Sequence, residues 1–139
     1  TIGATPGDTT SGDADIRMGP VAVRKIPGKD RGIVALADFS PGDLIECCPL
    51  LVFKSDKTQL EQSGLNRYYY EWINKTQAIV LGYGSLYNHA YDANACYEHD
   101  YDNLLLRILA VRPVAAGEEI TINYNYYLGD HDPVGFKVV

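Results

Sequence analysis

The chain has 139 residues, enough for one ordinary domain and too few for two independent cores. Eighteen acidic against twelve basic residues leave a net charge of −6, which argues against a sequence-independent grip on nucleic acid, since that needs Lys and Arg to neutralise phosphates. The 46% hydrophobic content is ordinary for a globular protein, and no apolar run approaches the roughly 18 residues of a membrane span, so neither direct nucleic-acid binding nor membrane attachment is expected.

Thr1 to Gly19 is rich in Thr, Gly, Asp and Ser and is read as a flexible tail, because it has too little apolar surface to repay the entropy of ordering. It contains neither a signal-peptide apolar core nor a basic amphipathic transit pattern. Met18, the one methionine, stands where globular composition begins, and a native start there is expected, with the preceding residues foreign to the natural protein. Residues 20–128 read as the folded domain and 129–139 as a short closing segment.

From Val21 onward, β-rich runs alternate with Pro/Gly punctuation. Strands are expected at Val21–Lys25, Gly32–Ala37, Leu44–Cys47, Leu50–Phe53, Ile79–Leu81, Leu104–Val111 and Ile120–Ile122, a spacing that suggests small curved sheets in a mostly β fold. Between Phe53 and Tyr68, Thr58 to Glu61 has capping-box form and Gly64 is a natural stop, which predicts one short helix. A second helical turn is expected before Asn88-His89. Tight reversals at Pro27-Gly28, Pro41-Gly42-Asp43 and Ala116-Gly117-Glu118 use glycine where a side chain would clash. The three cysteines, Cys47, Cys48 and Cys96, form neither a CxxC nor a zinc-type spacing, so buried thiols in a reducing compartment are expected.

Three segments concentrate polar and aromatic chemistry. Pro27-Gly28-Lys29-Asp30-Arg31-Gly32-Ile33-Val34-Ala35 is a glycine-containing turn feeding a strand, equally readable as a plain hairpin. Gly82 to Cys96 packs Asn88, His89 and Asn94 into a stretch too polar for a core strand, where an amide and an imidazole can read the edge of a heterocycle. A metal set of His89, Glu98, His99 and Asp100 is disfavoured, because His99 and Asp100 point to opposite sides of a strand and no Cys/His pattern fixes three ligands. Gly117 to Tyr127 ends on alternating Asn and Tyr, which on a strand would turn Tyr124 and Tyr126 to one face. All eleven tyrosines fall between Tyr68 and Tyr127, and phenols can line a cavity while offering hydroxyls to a polar guest.

Taken together and in this order, the segments resemble the SET-domain family of protein lysine methyltransferases. Arg31-Gly32-Ile33-Val34-Ala35 resembles the family's glycine-arginine-glycine turn, Asn88-His89 with Asn94 its Asn-His-Ser and Pro-Asn motif, and Gly117 to Thr121 with Tyr124 its last motif. The likeness spans roughly residues 20 to 128 and is nearest to the compact proteins of the family. Three positions depart from the pattern: Asp30 replaces the first glycine of the turn, Ala90 the usual Ser and Ala93 the usual Pro.

The resemblance implies a SET fold of several small curved sheets with short helices and a knot-like carboxyl-terminal threading, an exception to the rule against threading. It implies transfer of methyl groups from S-adenosylmethionine to a lysine ε-amine, without metal. Tyr124 is the implied catalytic residue, with Tyr70 and Tyr126 as walls of a lysine channel. Lys29, Asp30, Arg31, Gly32, Asn88, His89, Tyr124 and Phe136 are the implied cofactor contacts. The implied partner is a basic protein or peptide such as a histone in chromatin, or a non-histone protein, and Glu46, Glu71, Asp92 and Glu98 are candidates to attract it. A homodimer is compatible with so small a domain. The implied compartment is intracellular, cytoplasmic in a bacterium and nuclear or cytoplasmic in a eukaryotic or viral host. The alternative is a weak or inactive SET-like peptide-binding module, should Asp30, Ala90 and Ala93 cost it cofactor affinity.

Overall fold

The β-branched runs set off by Gly and Pro become strands in the computed structural model, which describes residues 15–125. In chain order these are β1 (Arg17–Met18), β2 (Val21–Lys25), β3 (Arg31–Ala35), β4 (Leu44–Phe53), β5 (Tyr69–Glu71), β6 (Gln77–Val80), β7 (Asn88–His89), β8 (Ala95–Asp100), β9 (Leu105–Ala110) and β10 (Glu119–Ile122). A short helix, α1 (Lys57–Gln62), precedes β5, and 3-10 turns occupy Ile73–Lys75 and Gly84–Leu86. One sheet has the order β5-β6-β4-β9-β8, with β1 added against β4, and the other runs β2-β3-β10-β7. Their facing sides bury Ile33, Ile45, Leu106, Ile108, Ile120 and Ile122, all at 1% exposure or less.

Most expected strands appear within a residue or two of their predicted bounds, and the reversals at Gly28, Gly42 and Gly117 all take positive φ, 79°, 89° and 89°. The two runs flanking Pro49 are one strand with two partners. Leu44 to Pro49 pairs with β9, and Leu50 to Phe53 pairs with β6. Proline thus sits where the strand changes neighbours, the place at which a missing N–H interrupts the ladder least.

Other expectations are corrected. The helix is capped by Asp56, whose carboxylate accepts the Thr58 N–H at 2.8 Å, so Thr58 lies inside the first turn instead of capping it. Tyr124 is not on a strand, since β10 ends at Ile122 and the chain turns at Tyr124 and Asn125. Strands β5, β7 and β8 were not foreseen, and Arg17–Met18, at the end of the stretch read as tail, pairs with Cys47 and Glu46. Tyr126, Phe136, most of the predicted tail, the 129–139 closing segment and the threading beyond Asn125 lie outside the described residues. Before that point, β10 runs antiparallel to β3 and parallel to β7, with Thr121 opposite Asn88 and Ile122 opposite His89. That pairing brings the three polar segments together. Among the described residues no helix is long and apolar enough to cross a membrane.

Candidate functional site

The turn between β2 and β3 closes through short backbone bonds, Lys29 N–H to Ile26 O at 3.0 Å and Arg31 N–H to Lys29 O at 2.7 Å. Asp30 holds φ at 66°, in the left-handed region. Asp is among the few side chains that adopt it routinely, so the turn keeps a glycine-like shape without the glycine. From this turn Lys29 Nζ donates to Glu119 Oε1 at 2.8 Å, a pair with only 15% and 17% of the side chains exposed. Glu119 Oε2 accepts from Asn88 Nδ2 at 2.7 Å, and the same amide donates to Arg31 O at 2.8 Å. One carboxylate thereby ties β10 to β7 and to the β2–β3 turn, and the Asn88 amide extends the link to β3. Gly32 leaves the room for it: a Cβ there would lie 2.5 Å from Glu119 Oε2 and 2.6 Å from Asn88 Nδ2.

Lys29, Asp30, Arg31 and Asn88 line a cleft of about 90 Å³ that Tyr124 closes on one side. Tyr124 also borders a larger cavity of about 590 Å³, whose walls include Tyr70, Tyr87, Tyr97, Trp72, His99 and Tyr101. Tyr124, with Arg67, Tyr68 and Ser85, lines both spaces.

Two tyrosines, Tyr124 on this boundary and Tyr70 in the larger cavity, are pinned by carbonyls of one loop. Tyr124 Oη donates to Tyr87 O and Tyr70 Oη donates to Gly84 O, each at 2.7 Å. Burial pushes the Tyr124 hydroxyl up to about 12, the nearby Arg67 cation opposing it, and burial raises Tyr70 well above the ordinary phenol range. Both are therefore neutral hydrogen-bonding groups at physiological pH. His89 is 3% exposed and lines neither space. Its Nδ1 accepts the Tyr124 N–H at 2.9 Å, which fixes the backbone from which the Tyr124 ring projects. Burial first, and the Lys29 charge second, lower the His89 pKa and keep that acceptor available.

Of the implied site residues, Lys29, Asp30, Arg31, Asn88, Tyr124 and Tyr70 meet around the two spaces, and Gly32 abuts them. Glu119 was not singled out from the sequence, though it stands inside a quoted motif; only the strand pairing reveals that Lys29 and Asn88 share it. Ala93 is served by another device, since Arg112 donates from Nη2 to Asp92 O at 3.1 Å and from Nη1 to Ala93 O at 3.5 Å, restraining the turn that proline would stiffen. Asn94 accepts the Thr121 N–H at 2.9 Å and donates to Glu119 O at 2.8 Å, stitching this turn to β10. The proposed attraction of a partner by Glu46 is overturned, because Glu46 is 2% exposed and faces inward. Asp100, from the disfavoured metal set, is bound instead to Arg107 at 3.0 Å, and His99 packs on Trp72 and Tyr101.

Comparisons with known proteins place the chain in a family. The model described as "SET domain" matches residues 30–125. The chain is 34% identical over 116 residues to a histone-lysine N-methyltransferase, H3 lysine-37 specific, of Schizosaccharomyces pombe, with 81% of this chain and 75% of that protein covered. It is 28% identical over 138 residues to a histone-lysine N-methyltransferase, H3 lysine-36 specific, of Gibberella zeae, covering 84% of this chain, and 31% identical over 115 residues to the N-lysine methyltransferase KMT5A of Xenopus tropicalis, covering 71%. It spans only 15% and 34% of those two longer proteins. A crystal structure of a Plasmodium falciparum protein assigned as a histone methyltransferase superposes with a TM-score of 0.65 at 24% identity, covering 80% of this chain and 97% of that one, a likeness of fold.

Proposed function

This chain belongs to the SET-domain family, and from that membership we propose that it transfers a methyl group from S-adenosylmethionine to the ε-amine of a lysine in a histone or another basic protein. The observation that carries the proposal is the position of Tyr124 between two unlike spaces, a small polar cleft and a larger tyrosine-walled cavity. A reaction joining a polar cofactor to an alkylamine needs that division.

The cleft suits S-adenosylmethionine in chemistry. Arg31 offers a cation, Asp30 a carboxylate and Asn88 its amide oxygen to a ligand that carries its own carboxylate, ammonium and ribose hydroxyls, while Glu119 holds Lys29 and the Asn88 amide nitrogen in place beside them. A space of about 90 Å³ seats one end of such a molecule. When bound, the cofactor supplies an electrophilic methyl group on a sulfonium.

The protein's part is alignment and desolvation. An amine attacks only when neutral, and from a solution pKa of about 10.4 the neutral form at pH 7.4 costs about 4 kcal/mol. Tyr70, Tyr87, Tyr97 and Tyr124 lower that cost by excluding water from the ammonium, which favours its neutral form, while packing on the lysine methylenes. Tyr124 does not take the proton, which the ammonium gives up to bulk water before attack. Its hydroxyl, held on Tyr87 O and raised to about 12, serves to orient the reacting amine.

Radiolabelled methyl transfer to histones and to whole-lysate proteins tests the reading. Tyr124→Phe is expected to fold, retain cofactor binding and lose at least tenfold in rate; the wild-type rate in that variant would remove Tyr124 from the mechanism. The alternative of a peptide-binding module without turnover predicts no gain in thermal stability with S-adenosylmethionine, whereas a working site gains it on saturation. The preserved turn at Asp30 and the Arg112 restraint at Ala93 support the enzymatic reading. The net charge of −6 supports a basic polypeptide as partner, and a histone substrate would place the protein with chromatin.

A further inference from the structure

Glu46 is a buried carboxylate with no part in the chemistry just described. It projects from β4 next to a register shift between Leu44 and Glu46, and is 2% exposed. Its described hydrogen bonds come from neutral donors, the Cys48 thiol among them: Tyr83 N–H reaches Oε2 at 2.8 Å and Tyr87 Oη–H reaches Oε1 at 2.7 Å. Burying a carboxylate costs several kcal/mol even when it is hydrogen-bonded, and an apolar residue of the same size would avoid that cost. What the carboxylate holds is therefore informative.

It holds both ends of the Gly82–Tyr87 loop. Gly82 passes directly over Oε2 with φ at 63°, where a side chain would collide with the carboxylate. Between the two anchors, the loop presents its Gly84 carbonyl to the Tyr70 hydroxyl and its Tyr87 carbonyl to the Tyr124 hydroxyl, each at 2.7 Å. The Tyr124 hydroxyl, on the boundary of the cleft and the cavity, and the Tyr70 hydroxyl, in the cavity wall, thus take their positions from one loop, and that loop takes its position from Glu46. Tyr87 joins the levels: its hydroxyl binds Glu46 while its carbonyl receives Tyr124.

We infer that Glu46 is a positioning residue for methyl transfer, setting the placement of the Tyr70 and Tyr124 hydroxyls through the 82–87 loop. The inference rests on the reading of Tyr124 as the residue at the reacting centre. Glu46 touches neither the cleft nor the cavity, so its removal acts on alignment and leaves the ligand contacts in place.

The experiment is a double-mutant cycle between Glu46→Gln and Tyr124→Phe, with rates expressed per site able to bind S-adenosylmethionine by calorimetry. Gln keeps the shape but replaces one acceptor oxygen with a donor. In the wild-type background Glu46→Gln is expected to lower kcat on the order of 10²-fold, the penalty of a misplacement near 1 Å, with KM for peptide and cofactor within about threefold. In the Tyr124→Phe background the same change is expected to cost less than about fivefold, because the hydroxyl it positions is gone. Equal losses in both backgrounds would overturn the inference, as would an unchanged kcat. If Glu46→Gln fails to fold, Tyr87→Phe, which removes only the hydroxyl bound to Glu46, carries the same cycle. A second readout needs no turnover: the hydroxyl-proton resonances of Tyr70 and Tyr124 by NMR on tyrosine-labelled protein. Both are expected to shift and exchange faster in Glu46→Gln, and unchanged signals would refute the placement role. If the wild type transfers no methyl group while these signals move, the proposed function fails, and with it the role in methyl transfer, while the placement of the two hydroxyls by Glu46 stands.

Discussion

Gly32 is the point at which a single methyl group tests the organisation of the cleft. Its φ is not positive, so alanine is tolerated by the backbone and gains about 0.5–1 kcal/mol over glycine in a strand. Against that, the added Cβ would sit 2.5 Å from Glu119 Oε2, 2.6 Å from Asn88 Nδ2 and 2.9 Å from Ile26 Cγ1. Overpacking of this kind costs about 1–3 kcal/mol, and separating Asn88 from Glu119 adds about 1 kcal/mol more. The clash wins, but two of the three atoms are side-chain ends that can swing away, which holds the net loss of stability to roughly 1–2 kcal/mol. The swing carries the larger consequence. It parts Asn88 from Glu119 and disturbs the Lys29 pair, so S-adenosylmethionine affinity is expected to fall at least tenfold, about 1.4 kcal/mol, in a protein that remains folded. Urea denaturation gives the stability term and calorimetry the affinity. Gly64→Ala, where the added methyl meets open space, is the control and is expected to change neither. A folded Gly32→Ala protein that binds S-adenosylmethionine within twofold of wild type would refute this account of the cleft.

Other perturbations separate structural from functional roles. At Asp30, with φ at 66°, Gly is expected to alter stability by less than about 1 kcal/mol and Val to reduce it by about 1–2 kcal/mol, read from urea midpoints. Arg107→Met strands the fully buried Asp100 and is expected to cost about 3 kcal/mol, the lower end for a broken buried pair because Asn103 still bonds Asp100; a loss under 1 kcal/mol would contradict that accounting. Burial lowers the pKa of His99, and burial with Lys29 lowers that of His89, from an ordinary 6.5. Below about pH 6.5 the unfolded chain therefore binds protons that the folded chain resists, and stability present above that pH is expected to decline as the pH falls toward the folded values. A urea midpoint independent of pH between 5 and 7 in the wild type, or no flattening in His89→Gln, would contradict the assignment.

Strands with a strong apolar signature were legible: β2, β3 and β10 announce themselves by β-branched residues next to Gly or Pro, and β9 by its leucine-rich run. β8 was not, because Ala95 to Asp100 alternates buried residues with Glu98 and His99 and so resembles a polar loop. β7 has only two residues and exists because β10 pairs with it in parallel, a long-range fact with no local marker. The placement of Tyr124 on a strand failed for a related reason, since alternation of Asn and Tyr says which face a strand would show but not where the strand stops.

By itself, the order and spacing of the Arg31–Ala35, Asn88–Asn94 and Gly117–Tyr124 segments determined the family and most of the residues that meet at the site, because residue chemistry at a fixed spacing is a property of the chain alone. Only the tertiary structure decided what those residues do for one another. Glu119 serves Lys29 and Asn88, His89 fixes the Tyr124 backbone instead of lining a ligand space, and Glu46, an acid that composition would leave on the surface, is buried behind the loop that holds Tyr70 and Tyr124. Hydrogen bonds between residues 31 to 90 positions apart depend on strand register and on burial, and neither is encoded within any one segment.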